Sequence, residues 1–210
     1  MIYVIEDLLT PSYCESLYNL AFNGYLSYQY MVKTSYTPEL TEENSGIVIP
    51  KLAPNPLVKD AGQFSCTVYH SDQNLHIKHQ MPCAWAFDQV MPMFYSVKDN
   101  LPDLNLKGGS RVKFNLLLKQ DFGDHYNQPH IDVPLPNYSM VYYLNDSDGD
   151  TVFFNEKYSA EQKDPINLTV MQRIKPKKNR AVVFESDRYH ASCNPQVSEN
   201  RFVINWIFNS

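Results

Sequence analysis

From Arg111 to Asn209 the chain is a succession of short segments rich in β-branched and aromatic residues, each closed by a turn signal, with no long helix between them. Arg111–Leu118, Tyr138–Asn145, Thr151–Asn155, Asn167–Lys175, Arg180–Glu185 and Arg201–Asn209 read as strands, and short pieces around His130 and His190 supply two more. Asp146-Ser-Asp-Gly-Asp150 reads as a hairpin turn, and Lys177-Lys-Asn179 as a second in which Asn179 suits a left-handed backbone. Strands this short bury their apolar faces by pairing into two packed sheets. The predicted fold class is mainly β with N-terminal helices, built on a double-stranded β-helix, that is, a jelly-roll or cupin-like core.

The 210 residues suffice for a single domain, with 1–110 as a helical and loop-rich support region and 111–210 as the jelly-roll core that carries the chemistry. Thr10 is placed to cap a helix with Pro11 at its first position, running past Leu17 and Leu20 to Asn23-Gly24. Pro38, Pro50, Pro54 and Pro56 then punctuate a loop-rich stretch. A second helical region spans Pro82 to Val97, where Pro92 should kink or split it. A net charge of -5 argues against nucleic acid as the main partner. The basic run Lys175 to Arg180 reads as a solvated turn. Cys14, Cys66, Cys83 and Cys193 form no C-x-x-C pair. No apolar stretch is long enough for a membrane span and no leader is evident, so a soluble, cytoplasmic protein is expected.

Two residues apart on an extended chain, His130 and Asp132 leave the same side and can grip one cation. His190, on strand-like sequence, offers a third ligand. Two imidazoles and one carboxylate form a facial triad with open positions, which suits non-haem Fe(II) and O2. On the last strand Arg201, Val203, Asn205 and Ile207 share one face, and Phe202, Ile204, Trp206 and Phe208 share the other. The aromatic face is expected to pack on helices, which turns Arg201 inward, where its charge needs an anion. A dicarboxylate co-substrate would supply one through a bidentate pair. The alternative is a structural arginine paired with Asp187 or Glu199.

The stretches HYNQPHID, YSMVYYLNDSDGDTVFF, NRAVVFESDRYHAS and RFVINWIF, within 111–209, resemble the catalytic core of the 2-oxoglutarate/Fe(II)-dependent dioxygenases on the prolyl 4-hydroxylase side. The resemblance implies Fe(II), 2-oxoglutarate and O2 as cofactor and co-substrates. It implies His130, Asp132 and His190 as metal ligands and catalytic residues, Arg201 as partner of the far carboxylate of 2-oxoglutarate, and Tyr143 as a hydrogen-bond donor to it. Asn205 falls where a small hydroxyl residue often assists. The family's tyrosine before H-x-D is not matched; Gln120 or Asp121 stands there, and Tyr126 lies nearer. Tyr126 and Asn115 are alternative candidates for a further contact with the co-substrate. The glycine-rich turn of the family stands here as Asp148-Gly149-Asp150-Thr151, with one glycine missing.

The implied reaction is hydroxylation of a peptide or protein side chain, or of a small molecule. The alternatives are another non-haem iron oxygenase acting on a small molecule and a catalytically silent jelly roll serving as a binding module. The sequence is silent on oligomeric state. His70, His76 and His79 read as surface residues, and Cys193 as a buried small side chain. Tyr25, Tyr28, Tyr30 and Tyr36 suit a substrate groove or half-buried packing equally.

Overall fold

The computed structural model describes residues 1–35, 51–71, 81–162 and 165–210. In chain order the described elements are β1 (Ile2–Ile5), α1 (Pro11–Phe22), β2 (Gln29–Met31), β3 (Gln63–His70), α2 (Phe87–Asn100), β4 (Gly108–Leu118), β5 (Tyr138–Tyr143), β6 (Thr151–Lys157), β7 (Val170–Ile174), β8 (Ala181–Glu185), β9 (Arg188–Ser192) and β10 (Asn200–Asn209). They form an antiparallel seven-stranded sheet, β1-β8-β5-β10-β4-β3-β2, and a three-stranded sheet, β7-β6-β9. Val141, Tyr143, Val182, Phe184 and Val203 of the large sheet pack against Phe153 and Ile174 of the small one, so the two sheets face each other. This is the expected double-stranded β-helix.

Its winding corrects both expected hairpins. β5 lies in the large sheet and β6 in the small one, so 146–150 carries the chain from sheet to sheet; 177–179 does the same between β7 and β8. Asn179 adopts the expected positive φ of 69°. The basic run is pinned to the N-terminal segment: Lys177 and Arg180 pair with Glu6 at 3.1 and 2.7 Å, and Lys178 pairs with Glu15 at 2.6 Å.

The outer face of the large sheet is covered by both helices, as the alternation of β10 requires. Phe87 and Phe94 of α2 lie 6.0 and 6.4 Å from the Trp206 ring, and Phe22 of α1 lies 6.1 Å from Phe202. α1 begins at Pro11, but the Thr10 hydroxyl makes no capping bond; the extended Thr10 backbone instead offers its carbonyl to the N–H groups of Tyr13 and Cys14. α2 runs unbroken through Pro92. Proline removes one bond near the helix start, while buried Val90, Met93, Phe94 and Val97 hold both sides of it to the core.

Three strands, β1, β2 and β3, arise before residue 108, where only helix and loop were expected. β3 alternates as a strand should: Cys66 and Val68 are buried under the helices, while Gln63, Ser65 and Thr67 share the opposite face. A polar inward face is what made this segment read as loop.

Glu185, at the end of β8, lies 2.6 Å from Lys157 and 3.5 Å from Arg188. Burial alone would raise its pKa, but Lys157 and the Met1 ammonium, which also pairs with Glu185, together outweigh burial and bring it from the ordinary 4.5 down to about 2. The unfolded chain therefore binds the extra proton first. The stability from this group is complete above pH 4.5 and is lost as pH falls from there towards 2. Acid unfolding of Glu185→Gln should show a shallower loss across that window than wild type, and identical pH slopes would refute the assignment. Among the described residues, no helix is long and apolar enough to cross a membrane.

Candidate active site

The expected ligands converge between the sheets. The ligand atoms of His130, Asp132 and His190 all lie within 4.8 Å of one another. His130 sits on an extended piece that bridges β9 through reciprocal backbone bonds with His190, at 3.0 and 2.9 Å. The alternation is as expected: Ile131 is buried in the core on one side, and its two neighbours open on the cavity on the other.

Each imidazole is oriented by its own backbone. Nδ1 of His130 lies 3.1 Å from the Gln128 carbonyl, and Nδ1 of His190 lies 3.1 Å from that of Arg188. A carbonyl only accepts, so Nδ1 carries the proton and Nε2 keeps a lone pair for a metal. Phe184 fixes the plane of His190 edge-on at 4.7 Å. Burial, with His190 alongside, lowers the His130 pKa to about 4, so this imidazole is neutral at pH 7. Asp132 receives a hydrogen bond from Arg111 Nη2 at 2.8 Å on one oxygen; the other lies 3.8 Å from His190 Nε2. Burial would raise the Asp132 pKa, but His190 and Arg111 hold it well below the usual carboxylate range.

Arg201 enters the same cavity from the start of β10 and is buried. Its Nη2 donates to Thr151 Oγ1 at 2.7 Å, its Nε has no partner, and no carboxylate among the described residues pairs with it. The acids offered as structural partners are engaged elsewhere: Glu199 with Lys119 at 3.2 Å, and Asp187 near Lys157 at 3.9 Å. Asp150 acts on this guanidinium only through its charge, without pairing. A buried arginine that no carboxylate pairs, sharing a cavity with three metal-type ligands, fits a ligand with one carboxylate to spare.

Tyr143 is fully buried; its hydroxyl bonds Thr151 Oγ1 at 2.7 Å and its ring lies 5.6 Å from the Arg201 guanidinium. Asn205 is brought to the metal end instead: it accepts from Arg111 at 3.1 Å and its amide is 3.4 Å from Asp132. Asn115 lines the cavity, whereas Tyr126 is buried behind the small sheet, hydrogen-bonded by Asn55. Of the other residues singled out, Cys193 is buried, Tyr25 and Tyr30 are exposed, Tyr28 packs on the core, and His70 lies on β3. Tyr36, His76 and His79 lie outside the described residues.

The sequence reading missed Arg111, Lys113 and Thr151. Alternation along 111–118 places Arg111, Lys113 and Asn115 on one face, and that was the available signal. The cavity of the triad is about 80 Å³. A larger one of about 320 Å³, lined by Leu52, Val58, Tyr126 and Ile166, holds no such ligand set.

The turn between β5 and β6 sets the position of Arg201. Asp148 accepts the N–H groups of Gln196, Val197 and Ser198 at 2.8–2.9 Å, fixing the entry to β10. A Cβ on Gly149 would stand 2.5 Å from the Cys193 carbonyl and 3.2 Å from Arg201 Cδ. Gly149→Ala should therefore cost about 1–3 kcal/mol, roughly 2–12 °C in Tm for a domain of this size. A melting curve like that of wild type would show that the loop yields freely.

Residues 114–209 match the model of the 2OG-Fe(II) oxygenase superfamily. Comparison with curated proteins gives no match. Solved structures share the fold: an oxidoreductase of the 2OG-Fe(II) oxygenase family from Burkholderia pseudomallei aligns with TM-score 0.60 at 11% identity, over 99% of this chain and 84% of that one. The non-heme alpha ketoglutarate dependent epimerase SnoN from nogalamycin biosynthesis aligns with TM-score 0.59 at 8% identity, over 99% and 77%. A Trichoplax adhaerens prolyl hydroxylase, solved with a hypoxia inducible factor peptide, aligns with TM-score 0.50 at 15% identity, over 99% and 83%. The matched span includes His130, Asp132, His190 and Arg201.

Proposed function

We propose that the protein hydroxylates a C–H bond with Fe(II), 2-oxoglutarate and O2, holding the metal on His130, Asp132 and His190 and the far carboxylate of 2-oxoglutarate on Arg201. The observation that carries this reading is the buried Arg201 side chain, without a carboxylate partner, in the cavity of the triad. The bound metal and oxoacid supply the oxidising chemistry. The chain supplies geometry and electrostatics. His130 and His190 present Nε2 lone pairs because their Nδ1 protons are held by carbonyls. Arg111 keeps Asp132 ionised and leaves its second oxygen towards His190. Thr151 holds the guanidinium in place, with the Tyr143 ring beneath it. Asn205 acts on Asp132 and Arg111 rather than on the far carboxylate.

We take a protein or peptide side chain as the substrate, on the prolyl hydroxylase pattern, and residues 111–210 as the part that carries the chemistry, within a single domain. Succinate formation that requires iron, oxoacid and O2 together, with a +16 mass shift in a candidate peptide, would support this function. Oxygen uptake without the oxoacid would point to another class of iron oxygenase. Absence of any turnover with iron bound would point to a silent binding module.

A further inference from the structure

The charges lining the cavity do not balance once the co-substrate is in place. Arg111, Lys113 and Arg201 face it, against the single carboxylate of Asp132 among the described residues. Arg111 is engaged by Asp132 and Asn205. Arg201 and the metal take the two carboxylates of 2-oxoglutarate, on the reading above. That leaves Lys113. No hydrogen bond or ion pair holds its ammonium among the described residues, and the charges acting on it are Arg111, which repels, and Asp132, which Arg111 already holds. The acid behind Thr34, Asp60, is itself taken up by the Thr34 hydroxyl at 2.8 Å and N–H at 3.1 Å.

Lys113 also stands apart from Arg201. Across the β4–β10 pairing it is level with Asn205, whereas Arg201 is level with Leu117, four residues along. At ~3.3 Å per residue the two levels are about 13 Å apart. Lys113 therefore stands at the end of the cavity where Asn205 meets Asp132, on the wall towards β3. Asn115 lies beside it on the same strand face. Its Oδ1 accepts from Ser65 at 2.8 Å, and no acceptor among the described residues takes its NH2.

We propose that Lys113, with the Asn115 amide, binds a carboxylate carried by the substrate, so that the molecule oxidised is an acid. The inference rests on the assignment of Arg201 to 2-oxoglutarate. One ammonium and one amide match the charge and two oxygens of a carboxylate. The neighbouring Arg111, together with burial, brings the Lys113 pKa down to about 7, and an anion bound there would restore the full charge. The carboxylate comes from an acidic peptide or from a small carboxylic acid; the chemistry is common to both.

The test compares acids with their neutral amides on protein loaded with Mn(II) and saturating 2-oxoglutarate, by isothermal titration calorimetry. One arm uses C-terminally amidated peptides with Glu or Gln beside a proline. The other uses N-acetylproline and N-acetylprolinamide. In at least one arm the acid should bind roughly thirtyfold or more tightly than its amide, the scale for losing one partner of a buried charged pair. Lys113→Gln and Lys113→Met should abolish that preference while 2-oxoglutarate binds as before, and neither should lower the Tm of the free protein. Equal binding of acids and amides to wild type, no binding in either arm, or a preference that survives both variants would overturn the proposal. Loss of 2-oxoglutarate affinity in Lys113→Gln but not in Arg201→Ala would overturn the Arg201 assignment with it. Normal oxoacid binding with no acid preference would overturn this inference alone.

Discussion

His130→Ala and His190→Ala are each expected to lose tight iron binding and, with it, all iron-dependent succinate formation. A second-sphere role would weaken iron binding without abolishing it. Loss of an outer partner of a ligand already costs on the order of 10–100-fold in metal affinity, so loss of a ligand itself sets that range as a floor. The backbone bridge between the two histidines uses main-chain atoms only, so it survives either substitution. His190→Ala also removes a ring packed on Phe184, so it should be the less stable of the two, and circular dichroism must accompany its iron assay. Wild-type iron content and turnover in both variants would remove the triad from the account.

Arg201→Ala should raise the apparent KM for 2-oxoglutarate by roughly a hundredfold or more, since breaking a buried charged pair costs about 3–5 kcal/mol. Iron binding should survive, because the guanidinium contacts Thr151 and Tyr143 rather than the ligand set. Arg201→Lys should lose less: the charge stays and the planar fork goes. The free protein should respond in the opposite sense. Its arginine is buried with no carboxylate partner, so Arg201→Met should leave the Tm of the ligand-free protein unchanged or raised. In wild type, 2-oxoglutarate at a hundred times its Kd should add about 2.7 kcal/mol of stability, and in Arg201→Met that gain should vanish. An arginine with a structural role would show the reverse pattern, a lower Tm when free and an undiminished response to the oxoacid.

The chemistry of this site was more legible in the sequence than its frame. Strand alternation alone put His130 with Asp132 and turned Arg201 away from Trp206, and both inferences hold because the period of two is fixed by backbone geometry. What alternation does not encode is which sheet a strand joins. The turn at Asp146–Asp150 has hairpin composition, yet its strands part into opposite sheets, because burial of Phe153 against Phe184 decides their placement. β3 escaped notice since its inward face is polar: Gln63, Ser65 and Thr67 share it, Gln63 lines the cavity and Ser65 donates to Asn115. The contacts of Asn205 with Arg111 and Asp132 could not be read from its position in the motif, since both partners come from other segments of the chain. Thr151 could be found only by folding the chain, since it meets Tyr143 and Arg201 across the two sheets.

The central claim is that one cavity holds Fe(II) on three protein ligands and leaves room for the keto acid end of 2-oxoglutarate. Anaerobic titration tests it most directly. Purified protein is loaded with Fe(II), 2-oxoglutarate is added, and the visible spectrum is recorded. A weak charge-transfer band should grow to saturation at one equivalent of iron per chain, be absent with Zn(II), and require far more oxoacid in Arg201→Ala. Iron bound at one per chain with a spectrum that 2-oxoglutarate leaves unchanged would contradict the account.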